Sequence, residues 1–324
     1  MTRGDLTFNF ICNDKELMAF FLIKSKFKYP YKINSQNTKN MVNVFLHESS
    51  VYKTFNVNGS KLNIYVSLEP YEAENKITDK FLNQFDIAVV SDDTAQADNI
   101  VKFPNYMPWL FYNVTMINKK HNLKFIEPKK QLIQPHNDRI LLIASNKSYY
   151  NSHFDRAELL AKFKKSKLNS EIDYYGFGYQ DFKSKIDLLP RYKHAIVLEN
   201  SMQENYISEK LIDSVICGHN ILYWGCPSVK RFLSYPYIQN ITHDIDNDIE
   251  VFHRKYTTQK LPGIKVMRDR GNFSAYHEAN YLHKIVSIAN EHKSCNQIKH
   301  IKPNFHFNSN KLKKSIKLLR SLIK

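Results

Sequence analysis

The stretch from Ala195 to Pro227 reads A-I-V-L-E-N-S-M-Q-E-N-Y-I-S-E-K-L-I-D-S-V-I-C-G-H-N-I-L-Y-W-G-C-P, and it decides the fold. Its first four residues, Ala195–Leu198, are apolar but too few for a helix, so they predict a buried strand. A helical pattern follows, with Asn205 as its expected N-cap and Gly218 placed to end it in a left-handed turn. Asn220–Trp224 predicts the next strand. In such a strand-helix-strand unit, polar residues where a strand ends and a helix begins are typical of ligand sites in α/β sheets.

Four polar side chains of different chemistry collect at that point of the unit. They are the carboxamide of Asn200, the phenol of Tyr206, the carboxylate of Glu209 and the ammonium of Lys210. Taken singly, each has an ordinary structural explanation, because the helix dipole alone favours Glu209 and Lys210 could be a solvated charge. Their combination around one predicted strand end favours a binding site.

The same stretch resembles the donor-binding signature of the α-1,3/α-1,4-fucosyltransferases, which is approximately F-E-N-S/T-x-x-x-x-Y-[VI]-T-E-K, followed by a helix and a G-x-P turn. Ser208 stands where that family usually has Thr, and Leu198 where it often has Phe. The resemblance implies an inverting glycosyltransferase that uses GDP-fucose and needs no divalent metal. It also implies the GT-B architecture, two Rossmann-like α/β lobes with a cleft between them.

Length and composition agree with a two-domain globular protein. The chain has 324 residues, 43% of them hydrophobic and 24% charged. Its net charge of +16 implies an acidic partner, which could be a nucleic acid, an anionic membrane face or a phosphorylated substrate. The four cysteines have no metal-type spacing, so they are expected to be reduced thiols of a cytosolic protein.

The alternation of elements predicts the lobes. Short apolar runs alternate with helical patterns over about the first 125 residues and again after residue 140, which favours parallel sheets covered by helices. Glu127–Arg139, with two prolines, is the predicted linker. We therefore expect an acceptor-binding lobe at 1–130, a donor-binding lobe at 138–295 and a basic tail at 296–324.

Further segments match the fucosyltransferase pattern more loosely. I-A-S-N-K-S-Y-Y-N-S-H-F-D-R, Ile143–Arg156, resembles a segment in which an arginine reaches the donor diphosphate, so the resemblance gives that role to Arg156 and places Asn146 in the donor site. The alternative is an ordinary arginine on a helix surface. F-D-I-A-V-V-S-D-D, Phe85–Asp93, resembles the segment that carries the general base, although Asp here is about one methylene shorter than the usual Glu.

The resemblance thus assigns a role to each candidate residue. The catalytic candidates are Asp93 as general base, Asp92 beside it and Glu209, and the donor-binding candidates are Arg156, Asn146, Glu199, Asn200, Tyr206, Glu209 and Lys210. The two aspartates could equally form a solvated turn, and Glu69 is then the next candidate for the base. Lys210, Arg156 and helix N-termini could neutralise the diphosphate without a metal.

The C-terminal stretch S-N-K-L-K-K-S-I-K-L-L-R-S-L-I-K, 309–324, predicts a basic amphipathic helix. It could pack on the body, lie on an anionic membrane surface or bind another polyanion. No apolar run of 18 residues and no signal-peptide core is present. The chain is therefore expected to resemble the soluble bacterial fucosyltransferases. We expect it to be cytoplasmic or peripheral on the inner face of the cytoplasmic membrane.

Three functions remain open at this level. A fucosyltransferase that modifies a bacterial surface glycan of lipopolysaccharide type accounts for the motifs best. A transferase of the same family with another GDP-sugar would carry the same motifs. A basic nucleic-acid-binding protein would use the positive charge, but no nucleic-acid-binding motif is present. Nucleic acid is therefore not expected as a partner.

Overall fold

The computed structural model describes residues 6–13, 15–47, 51, 53–68, 77–91, 95–106, 112–117, 120–125, 137–144, 151–242, 244–258, 281–292 and 299–302. The strands are β1 (Thr7–Ile11), β2 (Tyr31–Ile33), β3 (Met41–Leu46), β4 (Phe55–Asn56), β5 (Leu62–Val66), β6 (Ile87–Val90), β7 (Ile100–Lys102), β8 (Tyr112–Ile117), β9 (Lys120–Phe125), β10 (Asn137–Ile143), β11 (Ile172–Tyr175), β12 (Tyr192–Leu198), β13 (Asn220–Trp224), β14 (Ile238–Asn240) and β15 (His300–Ile301). The α-helices are α1 (Lys15–Lys24), α2 (Asp79–Leu82), α3 (Asn151–Lys165), α4 (Lys185–Leu188), α5 (Glu209–Ile216), α6 (Ile245–Thr258) and α7 (Tyr281–Glu291).

Two parallel sheets form the frame, as the alternation of elements predicted. The first sheet has the strand order β2-β1-β3-β5-β6-β7, and the second has the order β11-β10-β12-β13-β14. Strands such as β3 are buried at every position, because a parallel sheet covered on both faces leaves neither side chain direction to solvent. The fold is therefore mixed α/β with two lobes, and this prediction is confirmed.

Two aromatic rings that lie beyond strand ends connect the two lobes. Phe103 follows β7 at the carboxyl edge of the first sheet, and Phe232 lies beyond the carboxyl end of β13 in the second. Their rings meet edge to face with centroids 5.9 Å apart. This contact places the segment after β7 of the first lobe beside a segment beyond β13 of the second lobe.

A ladder of buried amides crosses the first sheet. Asn9, Asn43 and Asn63 are register partners on β1, β3 and β5, and each is fully buried. The Asn9 Nδ2 donates to Asn43 Oδ1 at 3.1 Å, and the Asn43 Nδ2 donates to Asn63 Oδ1 at 2.9 Å. Asp86 accepts from the Asn63 backbone N–H at 2.7 Å. A shift by one residue would break every rung, so the ladder specifies the register of these strands.

The chain returns to the first lobe after the second sheet. Tyr281 at the start of α7 packs against Phe21 of α1 with ring centroids 5.6 Å apart. β15 then pairs antiparallel with β4, and Ile301 is fully buried in the apolar cluster that contains Phe55. This return was not predicted from the sequence. The proposed domain boundaries at 130, 138 and 295 stay a prediction.

Two other expectations concern the linker and the cysteines. The linker predicted at Glu127–Arg139 overlaps β10, which begins at Asn137, and Arg139 pairs with Asp173 at 2.7 Å, so its last three residues were wrongly assigned. Cys12, Cys217 and Cys226 are not joined to one another by a disulfide. Within the described residues, no helix is long and apolar enough to span a bilayer. The tail at 309–324 lies outside the described residues.

Candidate active site

The site candidates stand on elements that meet at the carboxyl edge of the second sheet. Glu199 and Asn200 directly follow β12, Lys210 lies in the first turn of α5, and Arg156 lies on α3, which follows β10. β10 and β12 are neighbours in the sheet. Because both strands are parallel, the segments that leave their carboxyl ends emerge side by side.

The start of α5 differs from the prediction. The helix begins at Glu209 with Ser208 as its N-cap, whereas Asn205 was expected to cap it. Ser208 is extended, and its Oγ accepts from the Lys210 backbone N–H at 3.2 Å. Ser208 lies three positions after Asn205, so Tyr206 precedes the helix. Gly218, with φ +75°, follows the helix in the left-handed conformation, as predicted.

Glu199 is fully buried and connects the strand to the helix. Its Oε1 accepts from the Ser208 backbone N–H at 2.9 Å, and its Oε2 accepts from the Ser208 hydroxyl at 2.5 Å. Burial raises the pKa of this carboxyl, although Lys210 and Ser208 oppose the shift. The Glu199 carboxylate thus bonds twice to the N-cap residue of α5, so the structure gives it the role of fixing that helix. Its predicted contact with the donor stays a prediction.

Gly225, which follows β13, allows the backbone to lie close to the Glu199 side chain. A Cβ at this position would lie 2.4 Å from the Tyr223 hydroxyl oxygen and 2.5 Å from Glu199 Cγ, which is closer than such atoms can approach. The Tyr223 hydroxyl in turn accepts from the Cys226 backbone N–H at 3.0 Å. The W-G-C-P loop therefore packs directly on the carboxylate that holds the helix start.

Charged side chains form a compact network at the first turn of α5. Lys210 Nζ lies 3.7 Å from Glu209 Oε1 and 4.0 Å from Glu199 Oε2. Lys185, the first residue of α4, places its Nζ 3.6 Å from Glu209 Oε1 and 2.8 Å from Asp213 Oδ2. Burial alone would raise the pKa of Glu209, but Lys210 and then Lys185 hold it below its ordinary value. Glu209 is therefore an anion between two cations.

Arg156 and Asn200 are brought together from distant parts of the chain. The Arg156 Nη1 donates to Asn200 Oδ1 at 2.7 Å across a separation of 44 residues. Arg156 is only 5% exposed, so it is not an ordinary surface arginine of α3. Since Asn200 follows Glu199 directly, this contact places the arginine beside the network at α5.

Tyr206 lies in the interior rather than on the surface of the site. It is 1% exposed, and its backbone N–H bonds to Gln203 O at 3.2 Å in the turn before the helix. The loop that contains it is tied to the W-G-C-P loop, because the Cys226 thiol donates to Glu204 O at 2.7 Å. The predicted contact between Tyr206 and the donor stays a prediction.

Three candidates lie outside the described residues: Asp92, Asp93 and Asn146, together with the alternative base Glu69. The described chain reaches Ser91, which directly follows β6 at the carboxyl edge of the first sheet. The predicted roles of these residues therefore remain predictions.

Several contributing residues were missed from the sequence. Lys185 and Asp213 were not singled out, although an aspartate on the apolar face of a predicted helix signals a buried partner. Ser208 was noted only as a departure from the fucosyltransferase pattern. In the described part of the chain, no group of three or more His, Cys, Asp or Glu side chains could hold a metal ion.

The arrangement can bind an anion. Two cations lie near this sheet edge: Lys210 in the first turn of α5, where the helix dipole also favours negative charge, and Arg156, which bonds to Asn200 after β12. The side chain of Lys210 is 28% exposed and can reach a ligand, while Asn200 offers a carboxamide. These are groups that recognise a phosphate or diphosphate.

Comparison with known proteins gives two kinds of match, and no family model matches the chain. By sequence, 105 residues are 30% identical to a putative fucosyltransferase-like protein of Arabidopsis thaliana, and 80 residues are 34% identical to the α-(1,3)-fucosyltransferase FucT of Helicobacter pylori. These matches cover 31% and 24% of this chain, but only 20% and 16% of the relatives' own lengths.

The fold match is more extensive. Crystal structures of an α1,3-fucosyltransferase with GDP and with GDP-fucose each align over 90% of this chain, with a TM-score of 0.51 and 15% sequence identity. The alignments cover 92% and 91% of those chains. The resemblance noted in the motifs is thus confirmed by local sequence similarity and by the fold.

Proposed function

We propose that this protein is an inverting glycosyltransferase that moves fucose from GDP-fucose to a hydroxyl of a glycan. The observation that carries the proposal is the arrangement of Arg156, Asn200, Glu209 and Lys210 at one sheet edge. The similarity to fucosyltransferases supports the same conclusion, because the structures that share this fold contain GDP and GDP-fucose.

The donor's diphosphate would bind beside the start of α5. Lys210 and Arg156 supply positive charge there, and charge-assisted hydrogen bonds to phosphate oxygens are among the stronger polar contacts. Asn200, held by Arg156 at 2.7 Å, would line the pocket. As the bond to fucose breaks, negative charge grows on the leaving diphosphate, and preorganised cations stabilise that charge.

The acceptor hydroxyl would attack the anomeric carbon in line with the departing GDP. A hydroxyl is a weak nucleophile, so a carboxylate must take its proton as the new bond forms. We assign this role to Asp93, with Asp92 beside it. The assignment is supported by their position after Ser91, where the chain leaves the carboxyl edge of the first sheet. No divalent metal is required in this proposal, because side-chain cations balance the diphosphate.

The acceptor is proposed to be a bacterial surface glycan of lipopolysaccharide type. The net charge of +16 and the basic pattern at 309–324 support binding to an anionic membrane face, where a lipid-linked glycan would be presented. The protein would then be cytoplasmic and peripheral on the inner face of the cytoplasmic membrane.

The test is donor choice. Purified protein is incubated with a panel of nucleotide sugars and a mixed pool of glycan acceptors, and released GDP or UDP is measured. We expect GDP release with GDP-fucose, dependent on acceptor. Release from another GDP-sugar alone would replace the donor but keep the reaction, whereas no release from any donor would refute the proposal. The absorbance ratio at 260 and 280 nm of the purified protein tests for co-bound nucleic acid.

A further inference from the structure

The carboxylate of Glu209 lies between two ammonium groups that come from different elements. Its Oε1 is 3.6 Å from Lys185 Nζ and 3.7 Å from Lys210 Nζ. Lys210 belongs to the same helical turn, while Lys185 is the first residue of α4. One carboxylate therefore has two competing counterions at nearly equal distances.

The two lysines differ in what else holds them. Lys185 Nζ donates to Asp213 Oδ2 at 2.8 Å, and Asp213 is fully buried, so this ammonium is anchored from inside the protein. Lys210 Nζ has a longer bond of 3.3 Å to the Ser208 hydroxyl and lies 4.0 Å from the buried Glu199. A lysine stem is long and flexible, so Lys210 can turn away from these contacts more easily than Lys185 can.

We propose that Lys185 is a positioning residue that keeps Glu209 neutralised, so that Lys210 can turn from Glu209 to the diphosphate of the donor. The inference rests on the proposed function, because it names the partner that Lys210 turns to. Lys185 itself touches neither donor nor acceptor.

The physical reason is a balance of charges. Glu209 and Asp213 are two carboxylates beside one helix, and Lys185 contacts both. Without Lys185, Glu209 would keep its ion pair with Lys210, and the attraction between these two side chains would oppose the transfer of Lys210 to phosphate. Lys185 removes this competition before the donor arrives.

The experiment compares variants of the full chain. Lys185→Met alone leaves Asp213 as an uncompensated buried charge, so the double variant Lys185→Met/Asp213→Asn removes both members of the pair. Lys185→Arg retains the charge, and Lys183→Met removes an exposed lysine two residues away as the matched control. Thermal unfolding establishes that each variant is folded.

The readouts separate positioning from a structural role. The dissociation constants of GDP and of guanosine are measured for each variant, because only GDP carries the diphosphate. We expect the double variant to bind GDP about ten- to a hundredfold more weakly, the loss of a charge-assisted contact, while guanosine binding is unchanged. Lys185→Arg should recover most of the GDP affinity, and Lys183→Met should match the wild type.

The pH dependence of GDP binding gives a second readout. Burial would raise the pKa of Glu209, but Lys210 and Lys185 together hold it below its ordinary value. Glu199 and Asp213 are the other acidic residues nearby. Loss of Lys185 raises that pKa, so the protonation of Glu209 should affect GDP affinity at a higher pH in the double variant than in the wild type. A purely structural defect would not move this midpoint.

The outcomes distinguish this inference from the proposed function. Equal loss of GDP and guanosine affinity, or no loss of either in a folded double variant, overturns the role of Lys185. A wild-type protein that binds GDP but transfers no fucose refutes the proposed function alone, and the comparison of variants by GDP affinity still decides this inference. A wild-type protein that does not bind GDP overturns both.

Discussion

Replacement of Ser208 by alanine tests whether one hydroxyl holds the start of α5. The Ser208 Oγ donates to Glu199 Oε2 at 2.5 Å and accepts from the Lys210 backbone N–H at 3.2 Å and from Lys210 Nζ at 3.3 Å. All the hydrogen-bonding capacity of the hydroxyl is thus in use. Alanine keeps the backbone N–H that Glu199 Oε1 accepts, but it removes these three contacts together.

The size of the effect follows from the contacts. Loss of an N-cap costs about 1 kcal/mol, and loss of a hydrogen bond to a buried acidic group costs about 1.5 to 3 kcal/mol. We expect the free energy of unfolding to fall by about 2.5 to 4 kcal/mol in Ser208→Ala. Because Lys210 and Glu209 stand on the turn that loosens, kcat/KM for the donor should fall by about ten- to a hundredfold.

Ser208→Thr is the matched control. Threonine is also an effective N-cap and is the residue usual at this position in the fucosyltransferase pattern, so its hydroxyl can make the same three bonds. Urea unfolding and donor kinetics are measured for the wild type and both variants. If Ser208→Ala keeps the stability of the wild type within about 0.5 kcal/mol and retains its kcat/KM, the hydroxyl does not organise the site.

Four further predictions concern the donor, the metal, the tail and the base. Lys210→Ala and Arg156→Ala should each reduce donor use by about ten- to a hundredfold, and unchanged donor kinetics in both folded variants would refute the diphosphate site. Activity should persist in EDTA, whereas complete loss that Mn²⁺ restores would show a metal requirement. Removal of 309–324 should leave turnover on a soluble acceptor nearly intact and weaken binding to anionic vesicles, and an unfolded product would assign the segment to the body. Asp93→Asn should reduce transfer by about 10²- to 10⁴-fold with donor binding little changed, while Asp92→Asn should have the smaller effect, and the reverse order would exchange their roles.

Local patterns were sufficient to predict several of the strands, and they singled out Asn200, Glu209 and Lys210, which the structure places at one sheet edge. Strands of the covered parallel sheets are short and apolar, and this pattern identified β12 and β13 within a few residues of their observed bounds. The position of the N-cap was less well determined, because Asn205 and Ser208 are both good caps. The structure distinguishes them through Glu199, a residue nine positions before Ser208, which no local rule takes into account.

Long-range pairs could not be predicted from one sequence. Asp213 on an apolar helix face indicates that a cation is buried nearby, but nothing local identifies Lys185, 28 residues earlier, as that cation. The asparagines of the first sheet are similar, since each interrupts an apolar strand, yet their alignment depends on strand order. Strand order is a property of the whole fold, so these contacts appear only in the structure.

The pairing of β15 with β4 has a consequence for synthesis on the ribosome. The Lys302 N–H donates to Gln84 Oε1 at 2.9 Å across 218 residues, so the ribosome must translate the second lobe before this contact can form. At about 5 to 20 residues per second, the delay between the two partners is about 10 to 45 s. During that time Phe55 and Phe85 lack the Ile301 side chain that shares their apolar cluster. The first lobe of the nascent chain therefore has an incomplete core during this interval. Chaperones that bind exposed apolar segments can bind it during that time.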